Sequence, residues 1–199
     1  MTKIPVISGD DALNAFIRSQ CRAMGGEYAP VFFKNKDEVI AHLKYELPEI
    51  KMIYFSDKTI EARAVLEEIG KDPWLHYGGV IAIHDDLEEK ELLEAMRDQN
   101  VIAVLRRGEL ERGFSRLMKI LKQNKQLLFQ RGIQQHLLKS ISGSFVIDND
   151  PLDITTYANL VTNYLFNATL INKDAKERLQ VEPIELLMNA ITNGNWKAS

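Results

Sequence analysis

The chain has 199 residues, 45% of them hydrophobic and 27% charged, with a formal net charge of −3. That length holds one domain or one and a half, and the apolar content is enough for a core, which excludes a disordered polypeptide. With 25 basic residues against 28 acidic ones, no dominant cationic face for a nucleic-acid backbone is expected.

Cys21 is the single cysteine, so no internal disulfide can form and the composition suits a reducing, cytoplasmic compartment. No run of about 18 apolar residues exists, and the start Met1-Thr2-Lys3-Ile4-Pro5 lacks the apolar stretch of a signal peptide. A membrane partner is therefore not expected. His42, His76, His84 and His136 lie far apart and do not have zinc spacing.

In chain order, strands are predicted at residues 4–8, 30–34, 51–56, 79–84 and 101–106. Runs such as Met52-Ile53-Tyr54-Phe55 and Val80-Ile81-Ala82-Ile83 are apolar on both faces, which suits parallel strands covered on both sides. Helical spacing fills the gaps. It is carried by Leu13, Phe16 and Ile17 before the stop Gly25-Gly26, then by Val39, Ile40 and Leu43. Ile60, Val65, Leu66 and Ile69 follow, and then Leu87, Leu92, Leu93 and Met96. The alternation is that of a doubly wound α/β sheet.

A long helix is predicted from Glu109 toward Ser140, assigned to residues 109–141. Leu110, Phe114, Leu117, Leu121, Asn124 and Leu128 recur at spacings of four and three, a heptad seam with one polar member. Two readings are open: a homodimer through this seam, with Asn124 fixing register, or packing of its first half on the sheet with a solvated linker beyond. Ser142-Gly143-Ser144 marks a change in composition. A short strand at Phe145-Val146-Ile147, a turn at residues 148–151 and helices over 154–170 and 174–192 are expected to follow.

Residues 1–125 have this order of elements, with Asp10 and Asp11 after the first strand, Ser56 and Asp57 after the third, His84 after the fourth and Arg107 after the fifth. This arrangement resembles a response-regulator receiver domain. The resemblance implies a flavodoxin-like sheet with its site at the strand C-termini. It also implies an acidic cluster for Mg²⁺, an aspartate phosphoacceptor, and a hydroxyl and a lysine that hold the phosphoryl group.

In one register Ser56 stands at the phosphoacceptor position, and in a strand one residue longer Asp57 does. His84 replaces the hydroxyl residue, and Arg106-Arg107-Gly108 replaces the lysine with its following proline. These departures point to a degenerate receiver. Asp10 and Asp11 also read simply as helix caps, His84 and Asp85 as a loop, and Arg106-Arg107 as a solvated strand end.

The run Glu185-Leu186-Leu187-Met188-Asn189-Ala190-Ile191-Thr192-Asn193-Gly194-Asn195 resembles the N-box of GHKL ATPases of the anti-sigma-factor serine kinase type. By that resemblance residues 144–199 are the first part of such a domain. Glu185 would be the acid/base residue, Asn189 a ligand of the Mg²⁺ of ATP, and Asn193 a contact one turn on. The glycine-containing boxes that close over ATP do not occur in this sequence, so this stretch is not expected to be an active kinase by itself. Pro183 is expected to start that helix or to kink it.

The leading expectation is a signalling regulator of two-component type that works through protein contacts. One alternative is a fragment of a longer regulator whose complete C-terminal domain binds ATP and acts as a serine kinase or anti-sigma factor. A second is a true response regulator phosphorylated on Asp57 with Mg²⁺.

Overall fold

The computed structural model describes residues 1–72, 75, 78–85, 100–128, 147, 150–168 and 170–194. It divides into two compact units, residues 1–116 and 117–199. Among the described residues no helix is long and apolar enough to cross a membrane.

The first unit is built on β1 (Thr2–Ile7), β2 (Tyr28–Phe33), β3 (Ile50–Tyr54), β4 (Gly79–His84) and β5 (Val101–Arg106). All pair in parallel in the order β2-β1-β3-β4-β5. This is the expected flavodoxin-like, doubly wound fold. Between the strands run α1 (Asp11–Ala23), α2 (Lys36–Glu46) and α3 (Ala62–Lys71), and α4 (Arg107–Gln123) follows β5. The predicted helix around Leu87, Leu92, Leu93 and Met96 lies outside the described residues.

Alternation along the strands sends side chains to two cores. Ile7, Ile53, Val80 and Ala82 pack with Val39 and Leu43 of α2 and Val65, Leu66 and Ile69 of α3. Val6, Met52, Ile81 and Ile83 are buried on the opposite side, where Phe16 of α1 meets Phe114 of α4 edge-on, with ring centroids 6.0 Å apart. Gly78 turns the chain into β4 with φ +70°, and a Cβ there would stand 2.3 Å from the Pro48 carbonyl oxygen. No other residue type meets both demands.

Lys51, in the middle of β3, is fully buried, and its Nζ donates to the Leu75 carbonyl at 2.9 Å. Burial pushes its pKa down from 10.5 to about 7.

The second unit begins within α4. The helix expected over 109–141 is not continuous: α4 ends at Gln123, Asn124 forms a turn, and α5 (Lys125–Leu128) starts afresh. The Asn124 side chain donates back to the Ile120 carbonyl at 2.8 Å, and its own N–H bonds the same oxygen at 3.1 Å. Such a back-bond competes with the regular helical ladder at the residue where the helix is interrupted. Leu110, Phe114, Leu117, Leu121, Asn124 and Leu128 are all buried within the single chain. The remainder of that helix to residue 141, and the strand expected at 145–147 apart from Ile147, lie outside the described residues.

Asp150 caps α6 (Pro151–Asn167), with Pro151 in the first turn, and α6 packs along α7 (Lys173–Gly194). Pro183 neither starts nor ends α7; the helix runs through it. A proline cannot donate to the carbonyl four residues earlier, here that of Leu179. The Thr162 hydroxyl of α6 donates to that oxygen instead, at 3.3 Å. Along α7, Leu179, Ile184, Met188 and Ile191 are half-buried and Leu187 is exposed.

Two outcomes follow from these buried polar contacts. Below about pH 7 Lys51 is protonated in both states and folding bears the full cost of a buried charge. Between pH 7 and 10.5 the unfolded chain binds the extra proton, so stability rises with pH across that window. Urea unfolding is expected to show this rise from pH 7 to 9 in the wild type. In Lys51→Met the rise should be lost and stability at pH 6 should be higher by about 1–4 kcal/mol. Thr162→Val should cost about 1–2 kcal/mol, because it leaves the Leu179 carbonyl without its donor. The same substitution paired with Pro183→Ala, which restores the intrahelical donor, should cost less.

Candidate functional site

The C-terminal ends of β1, β3, β4 and β5 converge, as they must in a parallel sheet whose chain order reverses at β1 and β3. After β1 the buried Ser8 ties down the turn: its hydroxyl accepts the Asp10 N–H at 3.1 Å and its carbonyl accepts the Asn14 side-chain amide at 3.0 Å. Asp10 is the N-cap of α1, accepting the Leu13 N–H at 2.6 Å. Its side chain also faces the site. Asp11, by contrast, is 91% exposed and pairs at 3.3 Å with Lys34.

β3 stops at Tyr54, so Ser56 and Asp57 both lie in the turn beyond it, and strand alternation does not decide their direction. The Ser56 hydroxyl accepts the Asp85 N–H at 2.8 Å, toward the end of β4. The Asp57 carboxylate points toward β1, where it accepts the Gly9 N–H. It also accepts both the N–H and the hydroxyl of Thr59, at 2.8 and 2.6 Å. Burial works against its ionisation, but the Thr59 and Gly9 hydrogen bonds and the charge of Lys34 outweigh it and hold the carboxyl below its ordinary range.

His84, the last residue of β4, is buried in register with Arg106 of β5. Its Nδ1 has no hydrogen-bond partner among the described residues. Asp85, just beyond, accepts the Tyr54 hydroxyl at 2.5 Å. Burial first, and this carboxylate second, push the Tyr54 phenol up to about 12.

β5 hands over to α4 without a loop. The Glu109 carboxylate reaches back to the Arg106 N–H at 2.8 Å, as the third residue of a helix does in a capping box. Arg107 then projects across the site. Its two terminal nitrogens donate to the two oxygens of Asp10 at 3.0 and 3.3 Å, and its Nε lies 3.5 Å from Glu111. The Tyr54 phenol lies close enough for the two groups to act on each other's ionisation. The helix-cap bond from Leu13 and the Arg107 guanidinium together hold the Asp10 carboxyl below its ordinary range, against the effect of burial.

The structure thus joins Asp10, Ser56, Asp57 and Arg107 through Gly9, Tyr54, Thr59 and Asp85, and leaves Asp11 outside. Gly9, Tyr54, Thr59 and Asp85 do not stand out as site residues in the sequence. Asp57-x-Thr59 carries a turn signature, whereas Tyr54 is hidden within an apolar run. The donor set does not suit a divalent cation. Asp10 already faces a guanidinium, both Asp57 oxygens are hydrogen-bonded, and no group of three carboxylate, imidazole or thiol side chains among the described residues could hold a metal ion. On α7, Glu185 and Asn189 are one turn apart and both exposed; the side chain of Asn193 lies outside the described residues.

No protein-family model matches the chain, and no curated protein is similar to it. Solved structures are similar in fold. The signal receiver domain of a modulated diguanylate cyclase from Desulfovibrio desulfuricans G20 matches with a TM-score of 0.51 and 14% identity, over 64% of this chain and 98% of that one. The response regulator domain of Thermotoga maritima CheB matches equally, with a TM-score of 0.51 and 14% identity over 63% and 97% of the two chains. The RcsB response regulator of Salmonella typhimurium matches over 96% of this chain and all of its own, with a TM-score of 0.51 and 11% identity. The first unit therefore has the fold of receiver domains. None of these three structures is a GHKL ATPase, so the resemblance of residues 144–199 to that family has no counterpart among them.

The Gly9 clamp can be tested directly. A Cβ at Gly9 would stand 2.6 Å from Thr59 Oγ1 and 2.9 Å from Asp57 Oδ2, so any side chain there must displace these two side chains and disturb the bond from the Gly9 N–H. Gly9→Ala is expected to lower stability by about 1–3 kcal/mol in urea unfolding. An unchanged midpoint would show that the Thr59 and Asp57 side chains give way freely.

Proposed function

We propose that this chain is a signalling regulator of two-component type whose receiver-like unit works through protein contacts, without phosphoryl turnover. The observation that carries this reading is the Arg107 guanidinium bound to both oxygens of Asp10. A phosphoryl group arriving at Asp57 needs a cation beside it and a carboxylate oxygen free to attack. Here the cation belongs to the protein and is already paired, and the acceptor carboxylate receives three hydrogen bonds. An arginine, wider and planar, also does not replace a lysine ammonium at a transferring phosphoryl group.

The partner in this reading is another signalling protein. The GHKL-like reading of residues 144–199, with ATP held in a complete C-terminal domain of a longer regulator, rests on the sequence resemblance and on Glu185 and Asn189 sharing one exposed side of α7. Titration with ATP and Mg²⁺ is its test.

Incubation with acetyl phosphate and Mg²⁺ is expected to leave the intact mass unchanged. Beryllofluoride with Mg²⁺ should leave the amide resonances of Gly9, Ser56 and Asp57 in place. A stable adduct on Asp57 would overturn the proposal in favour of a phosphoaccepting response regulator.

A further inference from the structure

Beside the Asp10–Arg107 pair, a pocket of about 360 Å³ opens among Asp85, Arg106, Arg107, Gly108, Glu109 and Arg112. Its two acids are already engaged: Asp85 accepts the Tyr54 hydroxyl at 2.5 Å, and Glu109 accepts the Arg106 N–H at 2.8 Å. Its three guanidinium groups differ. Arg107 is paired with Asp10 and Glu111, whereas the side chains of Arg106 and Arg112 are exposed and make no ion pair with any described residue. Gly108, one helical turn before Arg112, brings no side chain, and the space where its Cβ would stand is open.

We propose that this pocket binds a phosphate group, either the free ion or the terminal phosphate of a small phosphate monoester, through Arg106 and Arg112. A guanidinium offers parallel N–H donors that match two oxygens of one phosphate, and two such forks satisfy a dianion. The volume is that of a small-molecule site. Arg107 lines the same pocket while holding Asp10. A bound phosphate therefore competes for the guanidinium that fixes the β1–α1 turn, and occupancy reaches the strand ends without any covalent step.

The test is isothermal titration of the full chain with inorganic phosphate, AMP and adenosine. Phosphate or AMP should bind, and the double variant Arg106→Gln, Arg112→Gln should weaken that binding at least about tenfold. Gly108→Glu should do the same, because it fills the open space and sets a carboxylate one turn from Arg112. It also replaces glycine by a better helix former, so a retained urea midpoint separates loss of binding from loss of fold.

AMP bound more tightly than phosphate identifies a monoester site, and equal binding identifies the free anion; both support the proposal. No binding of either at about 10 mM, adenosine bound as well as AMP, or affinities unchanged in the variants would overturn it. Neither phosphate nor AMP can phosphorylate Asp57, so this result is independent of the acetyl phosphate experiment.

Discussion

A single guanidinium holds the strand ends together. Parallel strands that end at one edge gather helix caps, carboxylates and loop amides into a small, half-desolvated volume, where like charges repel and unpaired polar groups are costly. Arg107 reaches that volume from the first turn of α4 and pairs with Asp10, which caps α1, close to Tyr54, which closes β3. The Asp57 clamp on Gly9 completes the bridge between β1 and the turn after β3. With these contacts in place, turns from four strands are fixed by the protein's own charges. A site that balances itself internally has little use for an added cation, and the proposed function rests on that balance.

The legibility of the fold in the sequence follows from burial. β4 and β5 are covered on both faces and read as unbroken apolar runs, and their predicted limits, 79–84 and 101–106, match the observed strands. β2 begins two residues earlier than expected, at Tyr28, because Tyr28 and Ala29 extend the pairing with β1 though they lie before Pro30. β3 closes two residues early, because Ser56 and Asp57 spend their polar atoms on neighbouring loops. The helix seam was readable as a pattern but not as a length. Leucine spacing persists through Asn124, where the helix is interrupted and the side chain bonds back to Ile120.

Site residues were legible where charge has no structural alternative and obscure where it has one. Asp10 reads equally well as a cap and as a site residue; it caps α1 and also pairs with Arg107 at the strand ends. Arg107 was identifiable from its place after the last strand, but its partner lies 97 residues away in the chain. Thr59 and Asp85 do their work as hydrogen-bonding neighbours, which single-residue patterns do not disclose. In α7, Pro183 looked like a boundary because its effect on its own helix is predictable, whereas the compensation from Thr162 belongs to another helix.

Lys51 gives the interior of the sheet a chemical property that its surface lysines lack. An amine with a pKa of about 7 is substantially uncharged near neutrality, and uncharged amines are the form that acylating reagents attack. Being wholly enclosed, it can meet such a reagent only when its contact with Leu75 opens. Modification of this one amine would therefore count openings of the central sheet, making it a built-in reporter of how often the core is breached.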